Sequence, residues 1–200
     1  LYNIIMKIIG LTGGIGSGKT TISKEFIDNS IKVYNSDDRA KFLMKNSKNI
    51  KNKLLDSFGS EIFLSGSLNK PYISKLIFSD SKSLNLINSI VHPEVLKDFI
   101  DWKSNLNDKY IIYESALIFE TGSYKLNDFN ILVTSELNLR INRIVNRDKL
   151  DKEMVIKKIQ SQWDDEKKIP LADYIFINSS KKANILKVKN LITYFNSIFK

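Results

Sequence analysis

The chain has 200 residues, 42% of them apolar, and a formal net charge of +9; a length of this order buries about 70% of the unfolded surface, enough for one core with excursions from it. It has no cysteine, which excludes disulfides, zinc–thiolate centres and thiol catalysis. No apolar run approaches the ~18 residues of a membrane span, no secretory leader is read at the start, and the basic residues are spread rather than interleaved with aromatics, so the expectation is a cytoplasmic protein with neither membrane nor nucleic acid as partner.

Segments rich in Ile, Val, Tyr and Phe predict strands at 4–12, 31–35, 109–114, 128–134 and 173–177, while helical spacing predicts helices at 18–29, 37–46, 136–147, 151–163 and 182–199. Strands alternating with helices predict an α/β fold whose parallel sheet is covered by helices on both faces. The long interval from Lys41 to Asn107 reads as a helical insertion, with turn signals at Gly59, Ser65-Gly66-Ser67 and Pro71 and a break at His92-Pro93. A second excursion, 140–170, is dense in mixed charge and reads as a lid. The expected organisation is a core of 1–40, 108–139 and 171–200, a substrate subdomain of 41–107, and the lid.

The first predicted strand runs directly into Gly13-Gly-Ile-Gly-Ser-Gly-Lys-Thr20, the pattern G-x-x-x-x-G-K-[S/T] of a phosphate-binding P-loop. Glycines let the backbone wrap a polyphosphate with its N–H groups turned inward, and the helix that follows adds the positive end of its dipole. The residues expected to hold nucleotide are therefore Gly14, Ile15, Gly16, Ser17, Gly18, Lys19, Thr20 and Thr21, with Lys19 on the β and γ phosphates and the Thr20 hydroxyl as a ligand of Mg²⁺.

In an open parallel sheet ligands collect beyond the carboxyl ends of the strands. Asp37 and Asp38 follow the second strand; either can serve as a general base toward an acceptor hydroxyl, or as a helix cap. Glu114 ends the third strand, where an acid orients Mg²⁺ or its water. His92, the only histidine, is read either as a turn or cap residue or as a substrate contact. The chain has 27 Lys but 4 Arg, and Arg140, Arg143 and Arg147 share one helix face. Such forks of donors suit phosphate, the alternative being an exposed face paired with carboxylates.

Taken in order, Ile9 to Thr20, Ser36-Asp37-Asp38-Arg39-Ala40, Asn88-Ser-Ile-Val-His92-Pro93, Leu117-Ile-Phe-Glu120, Arg143 to Arg147 with Gln162, and Ala172-Asp173 leading into Asn178 resemble the dephospho-CoA kinases. The resemblance implies a five-stranded P-loop core and the transfer of a phosphoryl group from ATP, with Mg²⁺, to the ribose 3′-hydroxyl of dephospho-CoA. It implies that Asp37 is the catalytic base, with Asp38 a bystander. It also implies that Arg143 and Arg147 close over ATP, that Asn178 lies near the adenine, and that Asp37, Lys70, His92 and Glu114 surround the acceptor. A monomer or weak homo-oligomer is expected.

The chain departs from that pattern at Asn35, where an acid is frequent, at Ala116-Leu117-Ile118, where Pro-Leu-Leu is usual, and at Lys70, where an arginine is common. Two other readings are a P-loop kinase with a different acceptor, of nucleotide or shikimate type, and a nucleotide switch. Against the switch, Asp56-Ser-Phe-Gly59 falls in the helical insertion rather than after a core strand, and Asn52-Lys53 is followed by two leucines instead of a guanine-reading motif.

Overall fold

A computed structural model describes residues 6–69, 71–73, 76 and 81–199. The chain divides into two compact units, one of residues up to Asn35 together with Asn107 onward, the other Ser36–Leu106. Residues 140–170, read from sequence as a lid, belong to the first.

In the first unit, β1 (Lys7–Thr12) leads into helix α1 (Lys19–Asp28), which returns the chain to β2 (Val33–Asn35). After the second unit come β5 (Tyr110–Glu114) and β6 (Phe129–Thr134), then β7 (Tyr174–Ile177). These form one all-parallel sheet in the order β2-β5-β1-β6-β7, with β1 at its centre. Parallel pairing demands long crossovers; α1 makes the first, whereas the segment from β5 to β6 is built of turns and one short 3-10 helix, Ser123–Leu126. The chain's first crossover carries it toward β2 on one side of β1 while β6 pairs on the other, so the carboxyl end of β1 is a topological switch point. Registers align Leu11 with Glu114 and Glu114 with Asn35, bringing three strand ends to one level.

Strand side chains alternate between faces, so Ile9 and Leu11, Tyr110 and Ile112, Ile131 and Val133 enter one core with Phe176. Ile22 and Phe26 of α1 and Val188, Leu191 and Phe195 of the C-terminal helix close it. Within that core Tyr110, Phe129 and Phe195 meet edge to face, with ring centroids 5.2–5.5 Å apart.

The second unit contains α2 (Ser36–Asn46), α3 (Lys48–Phe58), a short hairpin of β3 (Phe63–Leu64) and β4 (Ser67–Leu68), and α4 (Ser81–Ser104). Ser65 and Gly66, both at positive φ, make the hairpin turn. The break expected at His92-Pro93 is absent: α4 is one helix of 24 residues with Pro93 inside it. An interior proline costs roughly 3 kcal/mol. Ile87, Val91, Val95 and Phe99, each four residues from the last, are buried on both sides of it, while Pro93 is exposed on the other face. A continuous buried stripe thus outweighs the local breaker.

Among the described residues no helix is long and apolar enough to cross a membrane. The remaining helices, α5 (Leu137–Asp148), α6 (Lys152–Gln160), α7 (Asp165–Lys168) and α8 (Lys181–Ile198), lie in the sheet unit.

Candidate active site

The loop between β1 and α1 turns on Gly18, which precedes the helix at φ 94° and offers no side-chain cap. The first-turn amides of α1 are thus left without a capping side chain, as an anion-binding helix start requires. Lys19 Nζ donates to the Gly13 carbonyl across the loop at 2.7 Å. At the next residue, Thr20 Oγ1 is 3.5 Å from Glu114 Oε1, and Asn35 Nδ2 donates to Glu114 Oε2 at 3.1 Å. Glu114 is 3% exposed, so a carboxylate is held almost out of solvent at the end of the central strands by a hydroxyl and an amide. Asn35, which replaces a frequent acid, therefore acts here as a donor to that carboxylate.

The arginine-bearing helix packs against the loop from outside. Arg140 Nε donates to the Ile15 carbonyl at 3.1 Å, and its Nη1 faces Asp165 Oδ2 at 3.5 Å. Arg143 donates through Nη1 to the carbonyls of Gly16 and Ser17 and to Ser135 Oγ. Its Nε and Nη2 make no hydrogen bond among the described residues. Arg147, on the exposed side, is locked fork to fork on Asp148 at 2.7 and 3.1 Å. That pairing raises the arginine's pKa and holds the Asp148 carboxyl below its ordinary value. Gln162 Oε1 accepts the Ile15 N–H at 2.8 Å, and Asn178 Nδ2 donates to the Ser17 carbonyl at 2.7 Å. The excursion is anchored at its far end by Lys168, fully buried and 2.8 Å from Glu120 Oε1.

In the helical unit, Asp37 and Asp38 occupy the first turn of α2, where carboxylates meet the positive end of the helix dipole. Asp38 is exposed and pairs with Lys41, one turn on, at 2.8 Å. Asp37 is half-buried and close enough to His92 for its carboxylate to raise the imidazole pKa. Although His92 is exposed by surface area, desolvation around the ring is the larger influence and holds its pKa below the ordinary value. Arg39 forks onto Asp98 and lies 4.6 Å from the Phe42 ring centroid, tying α2 to α4. Lys70 lies outside the described residues.

The sheet unit thus gathers residues 13–21, Asn35, Glu114, Arg143, Gln162 and Asn178 around one loop. Asn184 had no sequence signal: it is one more asparagine near a helix start, yet its buried amide donates to Asn178 Oδ1 at 2.7 Å.

The family model described as dephospho-CoA kinase matches residues 7–184. The chain is 35% identical to the dephospho-CoA kinase of Fusobacterium nucleatum, over 90% of this chain and 93% of that protein. It is also 35% identical to that of Bacteroides fragilis, over 93% and 91%. Among solved structures it superposes on TT1252 of Thermus thermophilus with a TM-score of 0.85 at 26% identity, covering 94% of this chain and 97% of that one. A dephospho-CoA kinase of Campylobacter jejuni, at 20% identity and a TM-score of 0.68, shares the fold over 96% of this chain and 98% of its own. The chain belongs to the dephospho-CoA kinase family, transferases that phosphorylate dephospho-CoA with ATP in the last step of coenzyme A synthesis.

Proposed function

We propose that in this chain the γ-phosphoryl group of ATP passes to the ribose 3′-hydroxyl of dephospho-CoA, with Asp37 as general base. The observation that carries the reading is the P-loop at the switch point, with Lys19 and Thr20 beside the buried Glu114. The hydroxyl oxygen forms the new bond to the γ phosphorus, the bond to the β–γ bridging oxygen breaks, the hydroxyl proton goes to the Asp37 carboxylate, and ADP leaves. A carboxylate within reach of the hydroxyl contributes roughly 10²–10⁴-fold to such a transfer.

Positioning and charge neutralisation supply the rest. Lys19 leaves the Gly13 carbonyl for the β and γ phosphates. Arg143 offers its unused Nε and Nη2 while its Nη1 keeps the loop carbonyls, and Arg147 joins it if it parts from Asp148; 140–170 thus serves as a lid over ATP that is already seated on the loop, with Asn178 near the adenine while its side chain stays on Ser17 and Asn184. His92 and Lys70 are assigned to the acceptor. The Thr20 hydroxyl and the Glu114 carboxylate fit Mg²⁺, because hard oxygens in small number suit an ion that takes its other ligands from water and phosphate. Thr20 would ligate it directly and Glu114 through water; such an ion neutralises charge on the transferring group.

The reading is tested by measuring ADP release with dephospho-CoA, AMP, shikimate or no acceptor. ADP formed in step with CoA, and only with dephospho-CoA, is the expected result; turnover with another acceptor rejects the acceptor assignment.

A further inference from the structure

A trans peptide holds its C=O and the next residue's N–H in one plane, pointing to opposite sides of the C–N bond. Whatever grips a loop carbonyl from outside therefore aims the following amide inward. In this P-loop three successive carbonyls are gripped: Ile15 by Arg140 Nε, Gly16 by Arg143 Nη1, and Ser17 by Asn178 Nδ2 at 2.7 Å and Arg143 Nη1 at 3.4 Å. The middle peptide spends its amide within the loop, Ser17 N–H on the Gly14 carbonyl at 3.0 Å. The outer two leave the amides of Gly16 and Gly18 pointing away from their carbonyl donors, into the concave side. Gln162 sets the plane before these by accepting the Ile15 N–H at 2.8 Å.

The grip is tight. A β-carbon on Gly14 would overlap the Arg140 guanidinium, and one on Gly18 would overlap the Asn178 amide. At both glycines the donor thus lies where a β-carbon would stand, and Gly18 is further set by its φ of 94°. Asn178 is held in turn: it is buried, and its Oδ1 accepts from Asn184 Nδ2 at 2.7 Å, while Asn184 Oδ1 accepts the Ser179 N–H at 3.2 Å. That chain fixes which end of the Asn178 amide faces Ser17, since a reversed amide would set oxygen against oxygen.

We propose that this outer ring of hydrogen bonds preforms the phosphate-facing amides, and that Asn184 and Gln162 are positioning residues for ATP that act through it. The inference rests on the P-loop holding ATP, and goes beyond it in assigning the loop's shape to side chains distant in sequence.

The test uses the full chain with Asn184→Ala and, because a buried asparagine can be needed for folding, the more exposed Gln162→Leu. ATP binding with Mg²⁺ is read by calorimetry, and KM is measured for ATP and dephospho-CoA separately. Loss of one neutral hydrogen bond in the ring should weaken ATP about tenfold in each folded variant, with KM for dephospho-CoA unchanged within about twofold. ATP affinity equal to that of the parent chain in Gln162→Leu overturns the proposal. So does an equal loss toward both substrates, which is the mark of a general structural role. Since calorimetry needs no acceptor, the ring is judged even where the acceptor assignment fails.

Discussion

Around the P-loop, polar side chains are aimed at backbone: Arg140, Arg143, Gln162 and Asn178 each bond a loop peptide. In the helical unit the polar bonds to backbone are local ones within a helix or turn, and the elements are tied together by the buried stripe of α4 and the fork of Arg39 on Asp98. Directional bonds to backbone fix where an amide points, and preorganised donors of that kind are what phosphate binding requires. Apolar stripes and ion pairs fix helices more loosely, and their loss is felt as stability before it is felt as chemistry.

Perturbing each region should therefore damage a different quantity. The largest expected effect is on chemistry: Lys19→Ala should lower kcat/KM by about 10²–10³-fold, as removal of a preorganised charge donor does, while its melting temperature stays near that of the parent. An unaffected kcat/KM would remove Lys19 from the phosphates. Next, Phe195→Ala opens the aromatic core of the sheet unit and should cost about 3–5 kcal/mol in denaturant unfolding. A loss below about 1 kcal/mol would mean that the cavity collapses.

Arg39→Lys sharpens the contrast. The pair is partly exposed, with side-chain exposures of 40% and 18%, so breaking the fork should cost only about 1 kcal/mol. ATP affinity should not change; a variant weakened toward ATP as strongly as Lys19→Ala would erase the distinction between the two regions.

How far these regions are legible in sequence follows from the same contrast. The P-loop, the sheet and the longer helices of the sheet unit are visible because each rests on a local pattern: glycine spacing, two-residue alternation, or helical spacing of apolar residues; the four-residue α7 (Asp165–Lys168) is too short to show one. The unbroken α4 is not visible, because Pro93 is a local signal overruled by tertiary burial at Val91, Val95 and Phe99. The hairpin at Phe63–Leu68 is too short for alternation to register, though its Ser65-Gly66 turn is readable. Arg140, Arg143 and Arg147 were legible as a cationic face, but not that the first two grip loop carbonyls while the third folds onto Asp148. Asn184 has no pattern that could have found it, and Glu120, though it stands in a quoted motif, gives no sign in sequence that the buried Lys168 is its partner. Such partners are set by where the sheet order brings distant segments together.

The smallest effect expected is a pH dependence in the helical unit. Desolvation lowers the His92 pKa from its ordinary 6.5, against the pull of Asp37, so between the lowered value and 6.5 the unfolded chain binds more protons. Stability should rise with pH across that window and be complete above it. Melting temperatures from pH 5 to 7 should fall more on the acid side for the parent than for His92→Gln, and parallel curves would show that His92 contributes nothing.

The most direct test of the whole account follows phosphorus by NMR in a mixture of ATP, Mg²⁺ and dephospho-CoA, with the parent chain and with Asp37→Asn. In the parent, a 3′-phosphomonoester should grow as the γ-phosphate of ATP declines; in Asp37→Asn, ATP should still bind while ester formation falls by about 10²-fold or more. Ester formed by Asp37→Asn at nearly the parent rate, or ATP consumed by the parent without any 3′-ester, would contradict it.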